Sequence, residues 1–386
     1  MDRLTPVETE SVGLSEAAGR ILAEAVVADR PSPPCDVSAM DGYAIRLEDL
    51  GMGRLPVAGE VIAGGEPPPL PPRAVLRIFT GAPIPPGCDA VVPREDVREL
   101  SDAIVLPEAF ALELGRHIRR RGENGQAGEI VVGPGTAISA GAAGALAAFG
   151  VSRPKVHRRV RVAILITGNE VHRPDAEVRP WQIRDSNGPA LAAMLAPLPY
   201  IELQGPRHVP DDPTALRTAA ERLAGDADAL LFTGGVSMGD YDFVPDVLRA
   251  MGCEIVFHKL PIRPGKPVLG AVGPQGQAIV GLPGNPVSAL ITARRIAVPL
   301  LRRLAGCAVP LAPRPLVVFR ESAGKPAGLF RYRLVQWNAA GEAEAVPSQG
   351  SGDLISAARS DGFVEIPPHA TDGEPRPFFS WSLADD

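Results

Sequence analysis

In the stretch LLFTGGVSMGDYDFVPDVL, Leu230 to Leu248, an apolar run ends in two glycines, a serine and then two aspartates. A buried strand that stops at Gly234 and Gly235 and restarts as a helix leaves backbone N–H groups aimed at one spot, which attracts anions. Asp240 and Asp242, just beyond Ser237, repel an anion unless a metal ion sits between them. Phosphate plus a divalent cation is therefore one reading, and a tight β-α turn with an Asp N-cap is the plainer one. Two further apolar runs end alike. RVRVAILITGNE brings Thr167, Gly168, Asn169 and Glu170 to a strand end. QAIVGLPGNPVSA brings Pro283, Gly284, Asn285, Pro286 and Ser288, with Asn285 suited to cap a helix, Pro286 to begin it and Ser288 to lie in its first turn. Each motif alone is a helix start. Three at one sheet edge are better explained by a phosphorylated ligand.

Positive charge follows in HKLPIRPGKPV, where Pro261, Pro264 and Pro267 recur at every third residue. That spacing predicts an extended polyproline-like run with Arg263 and Lys266 on one side and Lys259 on the strand end before them. A solvated basic loop is the alternative, but a stiff loop loses less freedom on binding, which favours an anion site. In DVSAMDGYAIR, Asp36 and Asp41 supply carboxylates and Gly42 permits close backbone approach; taken by itself, a β-turn is the better account of the segment. The arginines of RHIRRRGENG either reach a phosphate or form a solvated run.

Elements that position these residues follow from pattern. Residues 12–25 suit a short amphipathic helix with Ser15 as N-cap. From Val26 to about Glu123, short apolar runs between Pro/Gly turns predict strands. Residues 124–157 add turns and a helix of small residues in ISAGAAGALAAFGV. From Arg158 strands and helices alternate, including SNGPALAAML, opened by Ser186 and Asn187, and a helix capped by Asp212 with Pro213 next. Such βα units imply a mixed or parallel sheet with helices on both faces and ligands at the strands' carboxyl ends. The last strand leads to one long helix, NPVSALITARRIAVPLLRRLAG, and after Gly306 a Pro-rich turn opens a small C-terminal β-domain.

At 386 residues the chain exceeds one ordinary core. Its 41 Gly and 42 Pro point to many turns, while 45% hydrophobic residues argue against disorder. A net charge of -6 disfavours a general nucleic-acid binder. The four cysteines are too scattered for a zinc site or a disulfide framework. The opening MDRLTPVETE has no signal-peptide pattern, and no apolar run is long enough to span a bilayer, so a soluble cytoplasmic protein is expected.

Taken together, SAMDGYA, TGAPIPPGCDAVVP, RRRGE, TGNE, DSN, TGGVSMGDYD, RPGKP, GLPGNPVS and GSGDLISAARSDGF, in this order along nearly the whole chain, resemble the molybdopterin molybdenumtransferase family, bacterial MoeA and the gephyrin E-domain. The resemblance implies a multidomain α/β plus β protein. A lever-like region would combine residues 1–25 with 124–157, and an inserted β-domain would span 26–123. A molybdopterin-binding α/β domain would span 158–308, and a β-barrel-like domain 309–386. It implies an elongated homodimer whose cleft is shared between subunits, a pterin substrate, and further cofactor-biosynthesis proteins and molybdoenzyme acceptors as partners, with neither nucleic acid nor membrane. The reaction would insert molybdate into adenylylated molybdopterin with Mg2+ and release AMP.

Carried over by position, Asp41, Glu170 and Asp242 match acidic positions with metal or catalytic duty, and Lys259, Arg263 and Lys266 would hold molybdate. Thr167, Gly168, Ser186, Asn187, Gly234, Gly235, Ser237, Pro283, Gly284, Asn285, Pro286 and Ser288 would hold the pterin substrate, and Ser351 of the late motif would reach the anion site. Three positions depart from the usual pattern: Asn124 and Asn169 stand where the family has Asp, and Arg263 where it has Lys. Asn removes a charge, and Arg replaces a point charge with a planar fork. Tungstate is an alternative oxyanion. A metal-dependent nucleotide pyrophosphatase on the same α/β domain and a non-catalytic pterin-binding scaffold are the rival functions.

Overall fold

The computed structural model describes residues 1–237, 242–319 and 328–383. The chain divides into two compact units, residues 25–132 with 145–151, and residues 1–24, 133–144 and 152–386.

The larger unit is built on six strands: β1 (Val160–Thr167), β2 (Ile201–Val209), β3 (Ala229–Thr233), β4 (Glu254–His258), β5 (Leu269–Val272) and β6 (Ala278–Leu282). Their order is β2-β1-β3-β6-β5-β4, parallel from β2 to β6 and antiparallel beyond. The sheet is mixed, as expected. Alternate side chains of β1 enter different cores: Val160, Val162, Ile164 and Ile166 pack with α1 (Asn187–Leu195) and α4 (Pro286–Thr292), whereas Ala163 and Leu165 pack with α2 (Pro213–Ala224) and α3 (Val244–Ala250). The two-residue period of a strand thus puts helices on both faces.

Helix starts are only partly as the sequence suggested. Asp212 caps α2, accepting the Ala215 N–H at 2.7 Å, with Pro213 in the first turn. Ser186 precedes α1 but makes no cap; Asp185 does, its carboxylate accepting the Gly188 N–H at 2.9 Å. Asn285 likewise does not cap α4. The long final helix is interrupted, passing from α4 through a π-helical turn at Ala293–Ala297 into α5 (Val298–Leu304). Pro299 supplies no N–H and its ring crowds the preceding turn, and a wider turn accommodates both effects.

The helix expected at residues 12–25 does not form. A single 3-10 turn, Leu14–Glu16, with Gly13 rather than Ser15 at its N-cap, is followed by isolated bridges from Ile21 to Ala137 and Leu22 to Val156. Gly19 adopts φ +70°, and an added Cβ would lie 2.3 Å from the Pro199 ring. That left-handed turn breaks the helix, and tertiary pairing claims its apolar residues. The polyproline expectation also fails: Ile262–Arg263 is a strand, the Arg263–Pro264 peptide is cis, and Gly265 lies at φ +109°.

That short strand joins a second sheet, β7 (Phe330–Trp337), β8 (Gly362–Ile366) and β9 (Arg376–Ser380), with Leu316–Val317 beyond β9 and Ala343–Ala345 pairing β7. Tyr332, Leu334, Phe363 and Phe379 belong to the same core as α1 and α4. The smaller unit carries its own six-stranded sheet, in the order Ala90–Pro93, Gly42–Ile45, Val75–Ile78, Arg54–Val61, Ala103–Val105, Arg98–Glu99, with an apolar core on each side. In it the glycine of SAMDGYA is required: a Cβ on Gly42 would lie 2.0 Å from the Val92 carbonyl oxygen. Among the described residues, no helix is long and apolar enough to cross a membrane.

Candidate active site

The carboxyl ends of β1, β3 and β6 are neighbours, so the three motifs meet at one edge as anticipated. A cavity of about 960 Å³ opens there, lined by Thr167, Gly168, Glu170, Ser186, Asn187, Gly234, Gly235, Ser237, Asp242, Pro283, Gly284, Asn285 and Pro286. Gly234 and Gly235 take φ +84° and +64°, which favours glycine, and the Gly234 N–H donates to the Leu282 carbonyl at 3.2 Å. The loop does not run directly into a helix, since α3 begins only at Val244. Asp240 lies outside the described residues. Asn187 joins two walls by donating its Nδ2–H to the Gly284 carbonyl at 2.8 Å.

Sequence reasoning named two of the carboxylates lining this cavity, Glu170 and Asp242, and missed Asp185 and Asp211. Asn169 and Asp211 exchange hydrogen bonds: the Asn169 N–H donates to the Asp211 carboxylate at 2.9 Å, and the Asn169 side-chain oxygen accepts the Asp211 N–H at 3.2 Å. An amide here avoids placing a second negative charge beside Asp211.

Ser288 and Ser351 do not line this cavity. They line a second one of about 880 Å³, with Arg263 and Lys266 and with Arg331 and Arg333 from β7. No carboxylate lines it, and the Arg331 Nε is buried without a partner among the described residues. Its wall shares Pro267, Pro283, Asn285 and Gly352 with the first cavity. Asn285 spends its side chain on this wall, donating to the Ser351 hydroxyl at 3.0 Å, while the Val287 N–H donates to the Ser351 carbonyl. Asp353 braces the loop. It accepts from the Ser356 hydroxyl at 2.6 Å and from the backbone N–H groups of Ser356 and Gln349. The Ser356 hydroxyl, then the Gln349 and Ser356 amides, hold its carboxyl down at about 2. Lys259 lines neither cavity, contrary to its grouping with Arg263 and Lys266.

Asp41 lies in the smaller unit. Thr80 donates both its backbone N–H, at 2.7 Å, and its hydroxyl, at 2.8 Å, to one Asp41 oxygen, keeping the exposed carboxyl below its usual range. The arginine run of that unit is engaged internally: Arg119 donates to Glu123 and Asn124, and Arg120 pairs with Asp36 at 2.7 Å. Asn124 therefore keeps an acceptor role despite having no charge.

Three family models match in chain order: the MoeA N-terminal region (domain I and II) over residues 1–150, a probable molybdopterin binding domain over 163–303 and the MoeA C-terminal region (domain IV) over 320–375. A molybdopterin molybdenumtransferase of Synechococcus elongatus is 36% identical over 94% of this chain and 91% of the relative. The chain belongs to the molybdopterin molybdenumtransferase family. Its relative from Nostoc is 38% identical over 78% of this chain and 70% of its own. A solved molybdopterin biosynthesis MoeA protein from Pyrococcus horikoshii OT3 superposes with a TM-score of 0.82 at 26% identity, covering 98% of this chain and 95% of that one. Arg331 and Arg333 escaped sequence reasoning because nothing in their spacing ties RYR to RPGKP. Only the pairing of Ile262–Arg263 with Phe330–Arg331 brings them together.

Proposed function

We propose that the protein inserts molybdenum into adenylylated molybdopterin, taking molybdate and releasing AMP. The second cavity carries this reading: among the described residues its lining has four cations and no carboxylate, which suits a small dianion, and it shares a wall with a glycine-lined, acid-bearing cleft suited to a phosphorylated ligand. Gly234, Gly235 and Gly284 let the pyrophosphate approach the backbone. Arg263, Lys266, Ser288, Arg331, Arg333 and Ser351 hold the oxyanion next to the dithiolene sulfurs, so that the two reactants meet in a fixed geometry.

Oxygen donors from Glu170 and Asp242 fit Mg2+, which favours one or two carboxylates plus substrate phosphate. Glu170 and Asp242 would hold the ion together with the substrate's phosphates; among the described residues no group of three or more His, Cys, Asp or Glu forms a ready-made metal site. When bound, the ion neutralises the bridging phosphates and polarises the anhydride for cleavage. Asp41 belongs to the same chemistry, supplied by the second copy in a homodimer with a shared cleft. The lever-like region, the β-barrel-like C-terminal domain, cytoplasmic placement and hand-over to molybdoenzymes complete the proposal.

The test is to incubate the purified protein with adenylylated molybdopterin and Mg2+ and to measure AMP release with and without molybdate. Molybdate-dependent release with molybdenum bound to the pterin is expected. Equal release without an oxyanion replaces the proposal with a pyrophosphatase, and tight binding without release replaces it with a scaffold.

A further inference from the structure

We infer that Asp185 and Asn187 read the hydrogen-bond-donating edge of the pterin ring and so fix which way the substrate lies in the first cavity. The inference rests on the pterin-substrate reading proposed above. Asn187 is 9% exposed, and its Nδ2–H is committed to the Gly284 carbonyl, which turns its Oδ1 the other way. That oxygen is buried and has no partner among the described residues. Two residues earlier, Asp185 gives one carboxylate oxygen to the Gly188 N–H, while its own N–H donates to the His172 carbonyl at 2.7 Å. Both residues line the cavity. The neighbouring Arg184 donates its Nε–H to the Ala176 carbonyl at 2.9 Å.

A buried acceptor without a donor is costly, so a ligand that fills this wall must bring N–H groups. A pterin has two adjacent ones, the 2-amino group and N3–H. Its phosphate end has only acceptors and finds no donor in the Asp185 carboxylate or the Asn187 Oδ1. The phosphates therefore go to the glycine loops at Gly234 and Gly284, and the ring goes to the start of α1. A site that hydrogen-bonds a ligand group discriminates strongly against an analogue lacking it.

The experiment measures equilibrium binding of three probes to the full-length protein: 6-hydroxymethylpterin, its analogue with hydrogen in place of the 2-amino group, and AMP. The native protein should prefer the pterin to the analogue by roughly ten-fold or more. Asn187→Ala should erase most of that preference while weakening AMP binding much less, since it also frees the Gly284 carbonyl. Asp185→Ser, which retains a helix-capping hydroxyl, should do the same. Preserved preference in both variants overturns the inference. Parallel loss of AMP and pterin binding also overturns it, because Asn187 would then be only a brace for the Gly284 loop. If the native protein binds AMP but shows no preference between the two pterins, the inference fails and the proposed function stands. If it binds none of the three, the pterin-substrate reading itself fails.

Discussion

Arg333 and Lys266 differ from the acids of the first cavity in what they leave behind when removed. Each lines the second cavity and not the first, so on the proposed reading its charge faces the oxyanion and not the phosphates. Lys266→Ala or Arg333→Ala should raise the molybdate concentration needed for half-maximal AMP release roughly ten-fold or more, with AMP affinity unchanged. A molybdate titration decides it. Asp353 supplies a pH signature. Its carboxyl ionises at about 2 in the fold against an ordinary 3.8, so its stabilising bonds are fully present above pH 3.8 and are lost as pH falls through 2. Thermal melts across pH 5 to 2 should show this acid limb in the native protein. They should show a shallower limb in Asp353→Asn, whose side chain does not titrate.

At the level of elements, the functional loops depend on strand and helix ends that can be weakened separately. Asp212→Ala removes the cap of α2, next to the cavity-lining Asp211, and should lower stability by about 1 kcal/mol in urea unfolding. Gly42→Ala is different in kind. The new methyl would press against the Val92 carbonyl, and the paired strands must separate, which should lower stability by about 1–3 kcal/mol and disturb Asp41 next door. A Gly42→Ala protein with unchanged urea midpoint would refute that close packing. The interrupted helix shows the same logic. The sequence reads as one long helix, and Pro299 near the start of α5 is met by a π turn that joins α4 to α5.

For the whole molecule, the cores divide the stability. The smaller unit has two apolar clusters of its own, and its ends are tied by pairing of Val26–Val27 with Ile130–Val132. Expressed alone, residues 25–132 should fold cooperatively, as circular dichroism and a single thermal transition would show. The C-terminal sheet has the opposite standing. Tyr332, Leu334, Phe363 and Phe379 share a core with α1 and α4, and the second cavity takes Arg331 and Arg333 from β7. A chain ending at residue 308 should lose both solubility and oxyanion binding.

The sequence by itself determined the α/β alternation, the helix start at Asp212, the three glycine-bearing strand ends and their common edge, because these depend on local periodicity, fixed dihedrals and the rule that parallel strands share a carboxyl end. Gly42 was legible as a residue that permits close backbone approach, but that the approach is to Val92 was not. Only the tertiary structure decided the rest. Residues 12–25 have helical spacing, but Gly19 turns left-handed against Pro199, and bridges to distant strands take Ile21 and Leu22. Asn285 is placed as a cap but reaches Ser351, and Asp185 caps in place of Ser186. Lys259, Arg263 and Lys266 look like one cluster, but only Arg263 and Lys266 line the second cavity, and a strand pairing brings Arg331 and Arg333 there from nearly seventy residues away. Contacts between residues far apart in the chain carry no local signature, since their free energy comes from burial and pairing that exist only once the sheets have met.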